Sequence, residues 1–370
     1  MALLETLANM INKDSSHFVQ FGIPAERVQN VQYDATPVSG GSGYFRIWAV
    51  EMKVSEGGPL ANFYPVLHSV VRFDYAGSPV ELTRVTSLDA LKSSVGSSIE
   101  VSKVIALNFP LTELVPFSGG NVEITAGLLA MKERDKVQAA IKMATDISAL
   151  LAVPQLSTVL SLAQPLAKNI ESIVGLGDSQ FRLGFHNTFT GAGGGGSNDL
   201  KSQYIAVIAA QEKDNVSRDG AGHWVINDHL VYIDPNKGQG EVPRDYMLLR
   251  VEVRRSRGDE WNKLPSLNTP FAEALKTVLT DKITSKAQLK AAILAVLQSP
   301  DVAENDREPI ALQLREKYNR RYELLAVEAP PSEEEEAELN KLQTLGGALE
   351  DLPAPIPAAQ PMTASQLLDV

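Results

Sequence analysis

Short segments in which apolar and polar residues alternate recur through the first two thirds of the chain, and this period of two constrains the fold more than any other feature. The clearest segment is GYFRIWAVEMKV at 43–54. Its alternation predicts one strand face formed by Phe45, Ile47, Ala49 and Glu51. Similar segments lie at 66–75, 80–85, 104–109, 122–131, 180–189, 202–210, 223–233 and 245–255. Clusters of Gly, Pro, Ser and Asn separate them, which is typical of an antiparallel sheet or sandwich.

The period changes to that of a helix between the two groups of strands. Residues 133–177 have helical spacing, interrupted at Pro154 and Pro165. Proline lacks the backbone N–H that a helix interior needs, so each proline starts a new segment or makes a kink. We therefore expect a helical hairpin inserted into a β-rich body.

The chain becomes helical again after the last strand. A stripe on the predicted helix at 304–326 is typical of a packed helix and consists of Ala311, Leu314, Tyr318, Tyr322 and Leu325. Residues 328–370 are rich in Pro, Ala and Glu, a composition that predicts disorder. The fold prediction is α+β: an antiparallel, sandwich-like β body, an inserted helical hairpin, a small all-helical module and a disordered acidic tail. The predicted segments are 1–132 (an N-terminal helix and β strands), 133–177, 178–266 (β strands), 267–327 and 328–370.

Charge is distributed unevenly along the chain. The tail from Glu328 to Val370 contains nine acidic residues and one basic residue, a charge of −8, which leaves −3 of the total −11 for the body. A nearly neutral body lacks the basic surface that phosphate backbones require, so we expect no nucleic-acid partner. The chain has no cysteine, which excludes disulfides and thiolate metal sites and fits a reducing cytoplasm.

The most conspicuous motif is the glycine run at 188–204, TFTGAGGGGSNDLKSQY. Gly191, Gly193 and Gly196 satisfy the dinucleotide-binding pattern G-x-G-x-x-G. That chemistry needs a helix after the glycines, because the helix N-terminus binds the pyrophosphate. A strand-like segment follows instead, so we interpret the run as a loop between antiparallel strands and expect no cofactor.

Other site patterns are equally weak. His223 and His229 flank Asn227 and Asp228, a pair that predicts a tight hairpin turn. Their spacing fits no metal site that strands provide, and DPNKGQGE at 234–241 lacks the glycine position and flanking helices of a calcium loop. We expect no metal and no catalytic residue. A hydrolase built from distant residues around His223, Asp228 and His229 remains a third alternative for function.

The first prediction for function is a non-enzymatic, cytoplasmic protein-interaction or scaffold protein. Its helical module and tail would bind other proteins, because acidic tails order on contact with partners. The predicted partner-binding residues are Arg250, Arg254, Arg255, Arg257, Leu367, Leu368 and Val370.

The second prediction is a membrane-active, pore-forming-type effector. Residues 147–167 carry no charge over a length that spans a bilayer, although two prolines and several polar residues weaken the pattern. The inserting residues would include Leu150, Leu151, Pro154, Leu160 and Leu162.

Overall fold

The computed structural model describes residues 17–31, 34–53, 64–87, 104–131, 179–193, 198–210 and 220–326, together with Ile11 and Leu156. The chain divides into two compact units. The first is Met1–Gly258 with Ala303–Asn305, and the second is Asp259–Val302 with Asp306–Val370. Both predicted β segments belong to the first unit, and the α+β, β-rich fold class is confirmed.

The described residues of the first unit form fourteen strands. They are β1 (Phe18–Ile23), β2 (Val28–Gln29), β3 (Tyr44–Lys53), β4 (Tyr64–Tyr75), β5 (Ser78–Ser87), β6 (Val104–Pro110), β7 (Val115–Pro116), β8 (Asn121–Met131), β9 (Ser179–Thr190), β10 (Gln203–Ala209), β11 (His223–Ile226), β12 (His229–Asp234), β13 (Gly238–Glu241) and β14 (Tyr246–Arg254).

These strands build three sheets. Sheet A has the order β1-β10-β14-β3-β6, with β7 also paired to β3; sheet B has the order β13-β12-β11-β2; sheet C has the order β5-β4-β8-β9. The pairing is antiparallel throughout the described ladders except between β11 and β2. Strands from before and after residues 133–177 are neighbours in sheets A and C, so the two β segments form one structure.

Sheets A and C face each other across the main hydrophobic core. Apolar residues of β3, β10 and β14 pack there against apolar residues of β4, β8 and β9. Phe45 of sheet A contacts Phe73 of sheet C edge to face, with 5.4 Å between the ring centroids. The single described residues Ile11 and Leu156 belong to the same core. This is the sandwich that the alternating segments predict.

Sheet B covers the other face of sheet A. A second core there includes Val50 and Leu248 from sheet A, and Val225 and Leu230 from sheet B. Sheet A is consequently buried on both faces at β10, whose sequence QYIAVIA is apolar almost without alternation. Such continuous apolar runs are typical of strands covered on both sides.

The second unit contains the helices α1 (Pro265–Thr277), α2 (Lys282–Gln298) and α3 (Glu304–Ala326), although the first residues of α3 are assigned to the first unit. Their core contains Trp261, Leu289 and the predicted stripe residues Ala311, Leu314 and Tyr318. Tyr322 is half-buried against it. Helix α1 begins at Pro265, earlier than the sequence suggests, because this proline occupies the first turn and Pro270 lies inside the helix.

Three predicted segments lie outside the described residues. They are the N-terminal helix, apart from Ile11, the helical hairpin at 133–177, apart from Leu156, and the acidic tail at 328–370. Within the part of the chain that the structure describes, no helix has both the length and the apolar character needed to cross a bilayer.

Candidate functional site

A β-bulge in β3 determines which face of sheet A carries Glu51. In the pairing with β14, Ala49 lies opposite Leu249 and Glu51 lies opposite Leu248, so Val50 is an extra residue. Alternation predicts Glu51 on the face of Ala49, and that prediction is wrong, because the extra residue reverses the side-chain direction. Glu51 therefore points toward sheet B, not into the sandwich core.

The Glu51 carboxylate is buried and accepts three hydrogen bonds. His229 Nδ1 lies 2.9 Å from Oε1. The backbone N–H of Leu230 and the hydroxyl of Tyr246 donate to Oε2 at 3.0 and 2.8 Å. Burial and the adjacent Glu51 carboxylate raise the pKa of Tyr246, so its hydroxyl remains a donor. These contacts offset the cost of burying this carboxylate.

His229 is the exposed member of this group. Because an ionised Glu51 only accepts hydrogen bonds, Nδ1 of His229 carries the proton, and Nε2 is left as an acceptor when the ring is neutral. The His229 side chain is 57% exposed, whereas that of Glu51 is 2% exposed. A buried carboxylate thus orients an imidazole that solvent can reach.

An open cleft of about 500 Å³ lies beside this pair. It lies between the β12–β13 hairpin on one side and Glu51 and Tyr246 of sheet A on the other. The hairpin lines it with His229, Leu230, Val231, Gln239, Gly240 and Glu241, and Val242 completes the lining. The volume is within the usual range of small-molecule sites.

The turn of the β11–β12 hairpin is held by a second polar group. Asn227 and Asp228 both have positive φ, 52° and 64°, which confirms the predicted tight turn. Asp228 accepts hydrogen bonds from the hydroxyl of Tyr204 and from Arg250 Nη1, the latter at 3.2 Å. Burial and the bond to Asp228 raise the pKa of Tyr204. The hairpin that carries His229 is therefore fixed to sheet A at two points.

The three residues of the hydrolase alternative do not form one site. His229 pairs with Glu51, and Asp228 with Tyr204 and Arg250. His223 is buried between the rings of Phe21 and Tyr232, and burial lowers its pKa. Among the described residues, no three His, Asp or Glu side chains are grouped so as to hold a metal ion.

The four predicted partner-binding arginines have different surroundings. Arg250 stacks on Trp48, with its guanidinium 5.0 Å from the ring centroid. Arg254 is paired with Glu252 on the same strand. Arg257 is buried over the Tyr44 ring and donates to the Leu114 carbonyl. Arg255 is exposed, and its guanidinium donates to the Pro37 carbonyl at 3.0 Å.

The glycine run lies between β9 of sheet C and β10 of sheet A, so it joins two strands as expected, but these strands belong to different sheets and not to one antiparallel pair. Leu200 N–H donates to the Thr190 carbonyl at 2.7 Å and closes the base of the loop. The other predicted site residues lie outside the described part of the chain: Leu150, Leu151, Pro154, Leu160, Leu162, Leu367, Leu368 and Val370.

The helical module carries the most exposed apolar side chains. Among the described residues, every large hydrophobic side chain classed as exposed lies in this module: Leu279, Ile283, Leu294 and Leu324. Ile283 is 84% exposed and Leu279 is 52% exposed, and both lie at the α1–α2 corner. Isolated exposed leucines are common on protein surfaces. Their restriction to one module, among the described residues, indicates a candidate binding surface.

Cations lie close to this corner. Lys282 Nζ is 5.2 Å from the centroid of the Tyr322 ring, and Ser285 Oγ is 2.9 Å from the hydroxyl oxygen of Tyr318. The start of α2 is therefore level with the part of α3 that carries Tyr318 and Tyr322. We name the surface at the start of α2 the apolar–basic corner: Leu279, Lys282, Ile283 and Lys286.

Comparisons with family models, with curated proteins and with solved structures gave no match to this chain. Its function must therefore be inferred from its own side chains. The cleft at His229 and the apolar–basic corner are the two surfaces on which such an inference can be based.

Proposed function

We infer that this chain is a cytoplasmic protein-interaction or scaffold protein whose helical module binds a partner through the apolar–basic corner. The observation that carries the proposal is the confinement of exposed large hydrophobic side chains, within the described residues, to that module. Apolar side chains that remain exposed on a folded surface are typical of sites that bind another protein.

The charges around the corner favour one kind of partner. Lys282 precedes Ile283 and Lys286 follows it on the first turns of α2. A segment that presents apolar residues together with carboxylates complements this surface. We therefore propose an acidic, amphipathic segment of a partner protein as the occupant.

Composition supports the cytoplasmic part of the proposal. The chain contains no cysteine, which fits a compartment where thiols stay reduced. The acidic residues at 333–338 supply a second interaction segment on the same chain, of the type that orders on binding.

Affinity purification with a matched pair of variants tests this function. Ile283→Asp removes the most exposed apolar side chain, and Ala291→Asp adds the same charge at an exposed position farther along α2. We expect a partner that the wild type and Ala291→Asp recover and Ile283→Asp does not. An amine-reactive cross-linker should join that partner to Lys282 or Lys286.

Recovery of the same proteins by wild type and Ile283→Asp would contradict the proposal. A variant without residues 328–370 distinguishes the partner from the chain's own acidic tail. If the tail occupies the corner, its deletion increases partner binding, and cross-links from Lys282 in the isolated protein lead to residues 328–370.

A further inference from the structure

We propose that the cleft beside His229 is a hydrolytic site for small, uncharged carboxylic esters, with His229 as the general base that activates water. This activity is independent of the interaction function proposed above. The cleft belongs to the first unit, whereas the apolar–basic corner belongs to the second.

The first argument is the arrangement of base and orienting group. Glu51 holds Nδ1 of His229 at 2.9 Å, while Leu230 N–H and Tyr246 fix the other carboxylate oxygen. The tautomer with the proton on Nδ1 leaves Nε2 as the basic atom on an exposed ring. A base oriented by a fixed carboxylate is the arrangement that general-base catalysis requires.

The lining of the cleft determines the class of substrate. Val231 is part-exposed and provides apolar surface for an acyl chain, beside Leu230 and Val242 of the second core. The two carboxylates of the lining are both paired, Glu51 with His229 and Glu241 with Lys53 at 3.1 Å, so the lining favours an uncharged substrate. Gln239 also lines the cleft, and its carboxamide N–H is a donor of the kind that stabilises an oxyanion.

The reaction needs only the ester and water. Nε2 of His229 takes a proton from water while the water oxygen bonds to the carbonyl carbon. The tetrahedral intermediate then breaks its bond to the alkoxy oxygen, which takes the proton back from Nε2. The products are a carboxylic acid and an alcohol, and His229 returns to its starting state. Glu51 is a positioning residue in this scheme.

The test measures hydrolysis of p-nitrophenyl acetate and p-nitrophenyl butyrate by the full chain. We expect kcat/KM of His229→Ala to fall about 100-fold, as for the loss of a general base. Glu51→Gln should lower kcat about 10-fold with little change in KM, because it disturbs the orientation of the base and not the binding surface. His186→Ala is the matched control, since His186 is a part-exposed histidine on sheet C that pairs with Thr125.

A second variant keeps the proposal testable if His229→Ala fails to fold. Gly240 lines the cleft and a Cβ there meets nothing within 4 Å, so Gly240→Leu adds apolar bulk at the lining without a clash. It should raise KM for the butyrate at least 10-fold. Equal hydrolysis by wild type, His229→Ala and Gly240→Leu would overturn the proposal. A Glu51→Gln protein with reduced stability but unchanged kcat would overturn the positioning role.

Discussion

Protonation of His68 should destabilise the sandwich in mildly acidic solution. His68 lies in the middle of β4, between β5 and β8, and only 2% of it is exposed. Its Nε2 has no hydrogen-bond partner within the described part of the chain. Burial lowers the pKa of His68 to about 4 from an ordinary value of 6.5, because a charged imidazole loses its hydration there.

The sign and size of the effect follow from the two pKa values. Below pH 6.5 the unfolded chain binds a proton at His68 that the folded chain does not bind until pH approaches 4. The stability that the neutral ring provides is therefore present above pH 6.5 and is lost as pH falls toward 4. The loss between pH 7.5 and pH 5 is about 2 kcal/mol, from 1.36 kcal/mol per pKa unit.

The assay is hydrogen exchange of peptides from β4 and β8, measured across a urea series at pH 7.5 and pH 5. It gives the free energy of unfolding at each pH. His68→Leu removes the titrating group and keeps an apolar side chain in the strand. Since carboxylates titrate in the same range, the informative quantity is the difference between wild type and variant. We expect His68→Leu to lose about 2 kcal/mol less than wild type between the two pH values. His186→Leu serves as the control, and equal losses in wild type and His68→Leu would refute the reasoning.

Five further substitutions, two of which are compared with each other, test the structure that supports the two sites. Ser285→Ala removes the hydroxyl that donates to the Ala274 carbonyl at 2.7 Å. It should lower the free energy of unfolding of the helical module, measured in urea, by about 1–3 kcal/mol. A decrease below about 0.5 kcal/mol would contradict this. Trp261→Ala removes a fully buried ring and its hydrogen bond to Gln313, and should cost about 3–5 kcal/mol in the same assay. Gly222→Ala should destabilise the β11–β12 hairpin more than Gly238→Ala. Both glycines have positive φ, but only at Gly222 would a Cβ approach the Tyr232 ring, to 2.6 Å. Equal hydrogen-exchange protection of the hairpin in both variants would contradict the clash. Ile283→Asp should change stability by less than about 0.5 kcal/mol, since an exposed acidic residue suits the first turn of α2.

The sequence predicts much of the sandwich because one buried face produces a period of two. Segments such as 66–75 and 122–131 coincide closely with β4 and β8. The Asn227-Asp228 turn is predictable for a different reason, since these residues tolerate positive φ better than most. By contrast, β13 is the segment GQGE, which has no apolar residue and two glycines, so neither period nor propensity indicates a strand.

The Glu51–His229 pair is beyond the reach of pattern reasoning. The two residues are 178 positions apart, and they meet only because sheet B folds over sheet A. The period of two even assigns Glu51 to the opposite face, since nothing in FRIWAVEMK marks Val50 as an extra residue. The available signal was a carboxylate within an otherwise apolar strand, because a buried acidic side chain requires partners.

The bulge at Val50 also affects how this strand tolerates insertions and deletions over evolutionary time. Deleting Val50 removes one side chain of the second core and restores regular pairing with β14. Glu51 then still lies opposite Leu248, so Glu51 and Lys53 keep facing sheet B and Met52 keeps its place in the sandwich core. Deleting Met52 instead moves Lys53 into the sandwich core, because the residues after the deletion change faces. Among descendants of this chain, loss of Val50 should therefore be tolerated better than loss of Met52.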